Sequence, residues 1–108
     1  MDLDPLKIKE AIDGVITMSA VEEGGTAIIP PLTNPRPNDE CEIFINGKPV
    51  VSISFPEPDD EERTVLIPKQ AFLDNSGQGP VPFRYVIYSG GMGNDIPSKS
   101  VDYKIQLA

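Results

Sequence analysis

The stretch 40-ECEIFIN-46 alternates between polar and apolar side chains over most of its length. Its odd-numbered side chains are all apolar and face one side of an extended chain: Cys41, Ile43 and Ile45. Asn46-Gly47 follows, and this dipeptide tolerates the positive φ values of a two-residue hairpin turn. The next run, 51-VSISF-55, alternates in the same way, with its inward side chains at Val51, Ile53 and Phe55. The segment therefore predicts an antiparallel hairpin with one buried face.

Alternation of this kind continues in both directions along the chain. It predicts further strands at residues 6–10, 26–29, 64–67, 81–89 and 101–107, with 15–21 as an extra or split first strand. Pro68 suits the first position of a helix, and Asn75 or Gly77 suits its end. One short helical turn, too short to be a core helix, is thus predicted between the fifth and sixth strands. About seven short strands without long helices predict an all-β fold, a two-sheet antiparallel sandwich.

Composition limits the organisation and the partners. The chain has 108 residues, enough for a single domain (1–108) with a linker-like start at 1–5. The net charge of −8 argues against nucleic acid and anionic membranes, since those partners are bound through Lys and Arg. No apolar run approaches the roughly 18 residues of a membrane span, which argues against membrane insertion. The single cysteine leaves the compartment undecided.

Five segments follow one another in a characteristic order: 9-KEAIDG-14, 24-GGTAIIPP-31, 38-NDECEIFINGKPV-50, 65-VLIPKQAF-72 and 83-FRYVIYSGG-91. Together they resemble bacterial immunoglobulin-like (fibronectin-III-like) modules, which recur in tandem in large surface or secreted proteins. The resemblance implies an immunoglobulin-like sandwich at the cell surface or outside the cell, without catalysis. It also implies neighbouring modules of the same chain, or an extracellular protein or glycan, as partners.

Three long loops are predicted to share one end of the sandwich, because its strands mostly alternate in direction: 30–39, 56–63 and 89–100. The second loop carries five acidic residues within 57–62. Clustered carboxylates bind Ca²⁺ through several oxygens. The sequence thus predicts a candidate calcium site, and no other cofactor, at Asp59, Asp60, Glu62, Asp39 and Asp95. A solvated acidic turn is the alternative, since the spacing matches no EF-hand loop.

The glycine-rich stretch 88-YSGGMGNDIPS-98 raises the question of a phosphate site. Its glycines follow a strand, but Pro97 precedes another strand and not the helix that a phosphate loop requires. We expect a mobile hairpin loop here.

An outward apolar patch is predicted on two neighbouring strands. Glu42 is expected to pair with Arg84, which leaves a patch formed by Phe44, Val86 and Tyr88. Such a patch is either cross-strand stabilisation of a solvated sheet or a surface for a partner.

Catalytic chemistry has little support in the sequence. Histidine is absent, and Cys41 lies on the predicted inner face among acidic neighbours that raise its pKa. We therefore expect no enzyme. The leading hypothesis is a non-catalytic structural, spacer or display module of a larger bacterial surface or secreted protein. The alternative is a carbohydrate- or calcium-binding domain that uses the loops at one pole.

Overall fold

The computed structural model describes residues 3–32, 36–55, 57, 61–88 and 95–107. Within these ranges the chain forms nine strands, one α-helix and one 3-10 helix. In chain order the elements are β1 (Lys7–Ile8), β2 (Val15–Thr17), the 3-10 helix (Met18–Val21), β3 (Gly25–Ile29), β4 (Asp39–Ile45), β5 (Lys48–Phe55), β6 (Arg63–Ile67), α1 (Lys69–Asp74), β7 (Val81–Tyr88), β8 (Asp95–Pro97) and β9 (Val101–Gln106). All seven predicted strands are present, with ends shifted by a few residues.

The strands form two sheets. The smaller has the order β1-β3-β6, and the larger has the order β2-β9-β7-β4-β5, with β8 beside the C-terminal half of β7. Neighbouring strands are antiparallel except β2 and β9, which are parallel. Apolar side chains of both sheets form one buried cluster, to which Ala27 and Val65 contribute from the smaller sheet and Ile43 and Phe83 from the larger. The predicted all-β, two-sheet sandwich is confirmed.

The predicted hairpin joins β4 to β5. Its turn residues have the expected positive φ values, 54° at Asn46 and 82° at Gly47. The inward side chains of β4 are fully buried: Cys41, Ile43 and Ile45. A bulge interrupts the pairing between Ile43 and Phe44, where Val50 is the extra residue on β5.

The inner face of β5 is only partly covered. Phe55 is buried and Val51 is half-buried, but Ile53 remains 39% exposed. β5 is the outermost strand of the larger sheet, so its side chains have a neighbouring strand on one side only. The predicted burial is therefore correct for Phe55 and wrong for Ile53.

The extra strand predicted at 15–21 is split. Val15–Thr17 forms β2, and the chain then turns into the 3-10 helix. Met18 and Val21 are both buried, and their spacing of three residues places them on the same side of a 3-10 helix. The apolar run thus enters the core as a helical turn after its third residue.

The predicted loop 89–100 contains a strand. β8 pairs with the C-terminal half of β7, whereas β9 pairs with the N-terminal half, so the last strand of the sandwich is broken in two. Ser98 lies at the break, where its hydroxyl accepts a hydrogen bond from the Tyr85 backbone N–H and its own N–H donates to the Tyr85 carbonyl, both at 2.9 Å. The buried Ser98 hydroxyl thus accepts the hydrogen bond that a backbone carbonyl would accept in an unbroken strand. Residues 89–94, for which we predict mobility, lie outside the described ranges.

The predicted helical turn is α1, and it belongs to the core. Pro68 is its N-cap and not its first residue, and Phe72 is completely buried. The Phe72 ring lies 6.3 Å from that of Phe83, which packs edge-to-face on Tyr103 at 5.2 Å between centroids. The expectation that the turn is too short to serve the core is wrong, because a single aromatic side chain fills the space between the sheets.

The Phe72 side chain also restricts which residue can occupy position 25 in β3. A Cβ atom at Gly25 would lie 2.4 Å from Cζ of Phe72, closer than real Cβ atoms approach any atom. The φ angle of Gly25 is not positive, so steric contact alone requires glycine at this position.

Gly25→Ala is predicted to lower the free energy of unfolding by about 1–3 kcal/mol, the usual cost of overpacking. Chemical denaturation measures it. Gly79→Ala is the matched control, because nothing lies within 4 Å of a Cβ there, and it should change stability by less than about 0.5 kcal/mol. Adding Phe72→Leu to Gly25→Ala should recover part of the loss; equal effects of the two glycine substitutions would contradict the packing.

The chain passes through the sandwich from one end to the other. Leu3 pairs in parallel with Ser98, so at Leu3 the chain runs away from the end of the sheet where Asp95 pairs with Tyr88. β9 pairs with β7 as far as Val81 and continues beyond it to Gln106 at the opposite end. The molecule measures 40 × 24 × 21 Å along its principal axes.

Candidate functional site

The ends of the three predicted loops lie together. Ile29 pairs with Arg63 at the end of the smaller sheet, Asp39 pairs with Phe55 in the larger sheet, and Tyr88 pairs with Asp95. The Arg63 guanidinium carbon lies 4.3 Å from the centroid of the Phe55 ring, a cation–π contact that joins the two sheets. We call this end, formed by residues 30–39, 56–63 and 89–95, the loop pole. Its residues 33–35, 56, 58–60 and 89–94 lie outside the described ranges.

Two charged side chains of the loop pole organise its backbone. Asp39 is buried, and its Oδ2 accepts a hydrogen bond of 2.9 Å from the backbone N–H of Arg36. Nη2 of Arg63 donates a 3.0 Å hydrogen bond to the carbonyl of Glu57. The Asp39 and Arg63 side chains therefore hold the ends of these loops in place.

The residues predicted to bind calcium do not all converge. Asp95 lies opposite Tyr88, which lies opposite Glu40, so these three side chains share the outer face of the larger sheet. Asp39 precedes Glu40 in the same strand and is buried towards the inner face. Glu62 is exposed, and Asp59 and Asp60 lie outside the described residues.

No group of three or more metal-ligating side chains occurs in the part of the chain that the structure describes. Calcium binding by Asp59, Asp60, Glu62, Asp39 and Asp95 stays a prediction.

If the acidic segment binds Ca²⁺, millimolar Ca²⁺ will raise the melting temperature by several degrees, because a ligand of the folded state stabilises it by mass action. Thermal unfolding with and without Ca²⁺ is the measurement, and the same concentration of Mg²⁺ is the control for general screening. Asp59→Asn with Asp60→Asn should abolish the effect. An unchanged melting temperature would show that the acidic segment does not bind Ca²⁺ at this concentration.

The outer face of the larger sheet carries the predicted patch in a different arrangement. Arg84 lies opposite Phe44, and its guanidinium carbon is 4.2 Å from the centroid of the Phe44 ring. Glu42 lies opposite Val86 and accepts a 2.7 Å hydrogen bond from the Tyr88 hydroxyl. The predicted pairing of Glu42 with Arg84 is wrong, because Arg84 lies two residues along β7 from Val86, the residue opposite Glu42.

The apolar area of this patch is smaller than predicted. Val86 is only 7% exposed, between Glu42 on β4 and Pro97 on β8, whereas Phe44 and Tyr88 are half-buried. The hydrogen bond to the Glu42 carboxylate raises the pKa of the Tyr88 phenol, so this contact keeps the hydroxyl protonated. Binding of a partner by Phe44, Val86 and Tyr88 stays a prediction.

A groove of about 680 Å³ opens on the side of the sandwich where β1 approaches β9. Its lining is largely apolar, with Asp4, Lys7 and Glu62 as charged members. The Tyr85 hydroxyl donates a 2.7 Å hydrogen bond to the Asp4 carbonyl, and the backbone N–H of Ile8 donates to the Tyr103 hydroxyl at 3.2 Å. Sequence reasoning missed this groove, because no local pattern in the first residues shows that two tyrosines hold them against the sheets.

Cys41 is fully buried in the core, as predicted. Burial, with a smaller contribution from the Glu42 carboxylate, raises the pKa of its thiol to about 12. The protonated thiol is a poor nucleophile, so the group packs as a small apolar side chain.

This raised pKa predicts a loss of stability at alkaline pH. The thiolate forms in the unfolded chain near pH 9.0 but not in the folded chain below about 12, so the stabilisation is complete below pH 9 and declines above it. Between pH 9 and pH 10, Cys41→Ala should reduce the pH-dependent decline in the free energy of unfolding, by up to about 1.4 kcal/mol per pH unit. Identical slopes for the two proteins would contradict a buried, protonated thiol.

Comparison with known proteins gives a likeness of fold. No protein-family model matches the chain, and no curated protein does. The chain resembles the crystal structure of the adhesin domain of Epf from Streptococcus pyogenes, with a TM-score of 0.52 at 11% sequence identity. The match covers 97% of this chain and 33% of that one, so the chain spans about a third of the length of the adhesin domain. Among the described residues, no helix is long and apolar enough to cross a membrane.

Proposed function

We propose that this chain is a non-catalytic, immunoglobulin-like module that serves as a spacer or display element in a larger bacterial surface or secreted protein. The observation that carries the proposal is the path of the chain. At Leu3, beside Ser98, it runs away from the loop pole, and its last described strand continues past Val81 to Gln106 at the opposite end of a molecule whose longest dimension is 40 Å. Modules with this path can be joined end to end without turning the chain back.

The strand order supports the immunoglobulin-like assignment. In that architecture the first, second and fifth strands belong to one sheet, and the third, sixth and seventh to the other. β1, β3 and β6 take the first set of positions, and β4, β7 and β9 take the second, while no described strand takes the fourth position, which belongs to the first sheet. β5 then extends the second sheet beside β4, as an additional strand does in variable-type domains.

The likeness to a bacterial adhesin domain is consistent with a module at the cell surface or outside the cell. In such a setting its partners are the neighbouring modules of the same chain, or an extracellular protein or glycan.

The placement of aromatic residues favours a spacer over a sugar-binding domain. Sugar binding commonly uses exposed aromatic rings for stacking. All seven aromatic side chains of this protein belong to described strands or to α1: Phe44, Phe55, Phe72, Phe83, Tyr85, Tyr88 and Tyr103. The segments of the loop pole therefore contain no aromatic residue. Of the two rings that border it, Phe55 is buried under Arg63, and Tyr88 is half-buried with its hydroxyl bound to Glu42.

A tandem fusion tests this proposal. Two copies joined directly, the end of one to the start of the next, should form an elongated particle with a maximum dimension of about twice 40 Å in small-angle X-ray scattering. The control is the same fusion with a Gly/Ser linker of about 20 residues, which should give a broad distribution of distances. A compact, side-by-side arrangement of the directly joined copies would contradict the spacer function.

A further inference from the structure

The free edge of β5 is the largest unpaired backbone surface of the described sheets. β5 is eight residues long and ends the strand order of the larger sheet, so no described strand lies on its outer side. An unpaired edge presents N–H and C=O groups that a further strand can bind.

The pairing of β7 determines in which direction the backbone N–H and C=O groups of β5 point. The backbone N–H and C=O of Tyr85 both bind Ser98, so they point away from β4. Ile43 lies opposite Tyr85, and its backbone groups therefore point to β5, where its partner is Val51. The alternation along β5 then directs the N–H and C=O groups of Ser52 and Ser54 to the free edge.

The edge lacks the usual protection against pairing. Natural edge strands carry charges, prolines or bulges. In β5 these devices lie only at the hairpin end, with Lys48, Pro49 and the bulge at Val50. From Val51 to Phe55 the strand is uncharged, in a chain in which 24% of residues are charged. The backbone from Val51 to Phe55 is therefore accessible to an added strand.

We propose that this edge pairs in antiparallel fashion with β5 of a second copy of the chain, around a two-fold axis at Ile53. Ser52 of each copy then lies opposite Ser54 of the other, and their edge-facing backbone groups bind each other. Val51 lies opposite Phe55 on the inner face. Ile53, which is 39% exposed in one copy, lies opposite itself and gains a neighbour.

The uncharged residues 51–55 permit contact between two like copies, and charge complementarity favours the antiparallel direction. Two chains of net charge −8 repel each other, so self-association requires a neutral contact, which residues 51–55 supply. The antiparallel direction brings the Lys48 end of each strand towards the end of the other strand where the acidic segment begins at Glu57. It also places the two acidic segments at opposite ends of the paired strands. The two poles of each copy remain free for neighbours in a tandem chain.

Sedimentation equilibrium of the whole chain tests the pairing. An edge contact is small, so the dimer should form between about 10 µM and about 1 mM, the affinity range of small transient interfaces. The average mass is expected to rise from one chain to two chains and to stop there, because each copy has one β5 edge. A mass of one chain throughout this range overturns the proposal, and so does growth beyond two chains.

Two variants locate the contact. Ser54→Pro removes an N–H at the free edge but leaves the bonds from β5 to β4, which use Ile53 and Phe55. Ile53→Lys brings two like charges together on the axis. Each is expected to weaken the dimer at least about tenfold. Ser100→Lys adds the same charge at an exposed position separated from β5 by β7 and β4, and it should leave the dimer unchanged.

Circular dichroism of dilute samples verifies that each variant folds. If Ser54→Pro does not fold, the comparison of Ile53→Lys with Ser100→Lys still shows whether the dimer contact lies at the β5 edge. A dimer that persists in the folded edge variants, or that Ser100→Lys weakens equally, overturns the assignment to β5.

Discussion

The structure depends on the register of β7 between β4 and the broken last strand. Tyr85 sets this register, because its backbone binds Ser98 on one side and its side chain is buried on the inner face. Successive side chains of a strand point to opposite faces, so a slip of one residue would expose Phe83, Tyr85 and Ile87 together. The register of β4, and through it that of β5, follows from this alignment.

The same alignment connects the two ends of the chain to the core. The Tyr85 hydroxyl holds the carbonyl of Asp4, and the Tyr103 hydroxyl accepts from the backbone of Ile8. Tyr103 also packs on Phe83, which lies beside Phe72 of α1. The first residues, the helix and the last strand therefore share one aromatic centre. Segments near both ends of the described chain are thus attached to the same packed core.

Local patterns in the sequence predicted most of the fold. The alternation in 40–46, the Asn46-Gly47 turn and the apolar strand at 101–107 depend only on neighbouring residues, and all three are present in the structure. The 3-10 helix at Met18–Val21 was missed because a short apolar run fits a strand as well as a helical turn. β8 was missed because three residues that include Pro97 show no alternation.

The candidate site was harder to predict because it depends on pairings distant in sequence. The outward residues were identified, but their partners were not: the exact register of β4 against β7 places Arg84 over Phe44 and Tyr88 within reach of Glu42. The sequence did not show that alternation along β4 buries Asp39 on the inner face, where its Oδ2 accepts a hydrogen bond from the backbone N–H of Arg36. The direction of the β5 edge could not be predicted at all, since it follows from the contact between Tyr85 and Ser98.

Amide hydrogen exchange in dilute protein, followed residue by residue by NMR, tests this register most directly. The amides of Val51, Ile53 and Phe55 should be protected by their bonds to β4, while those of Ser52 and Ser54 should exchange rapidly from the free edge. The reverse alternation, or equal protection of all five amides, would contradict the register on which the fold and the proposed pairing depend.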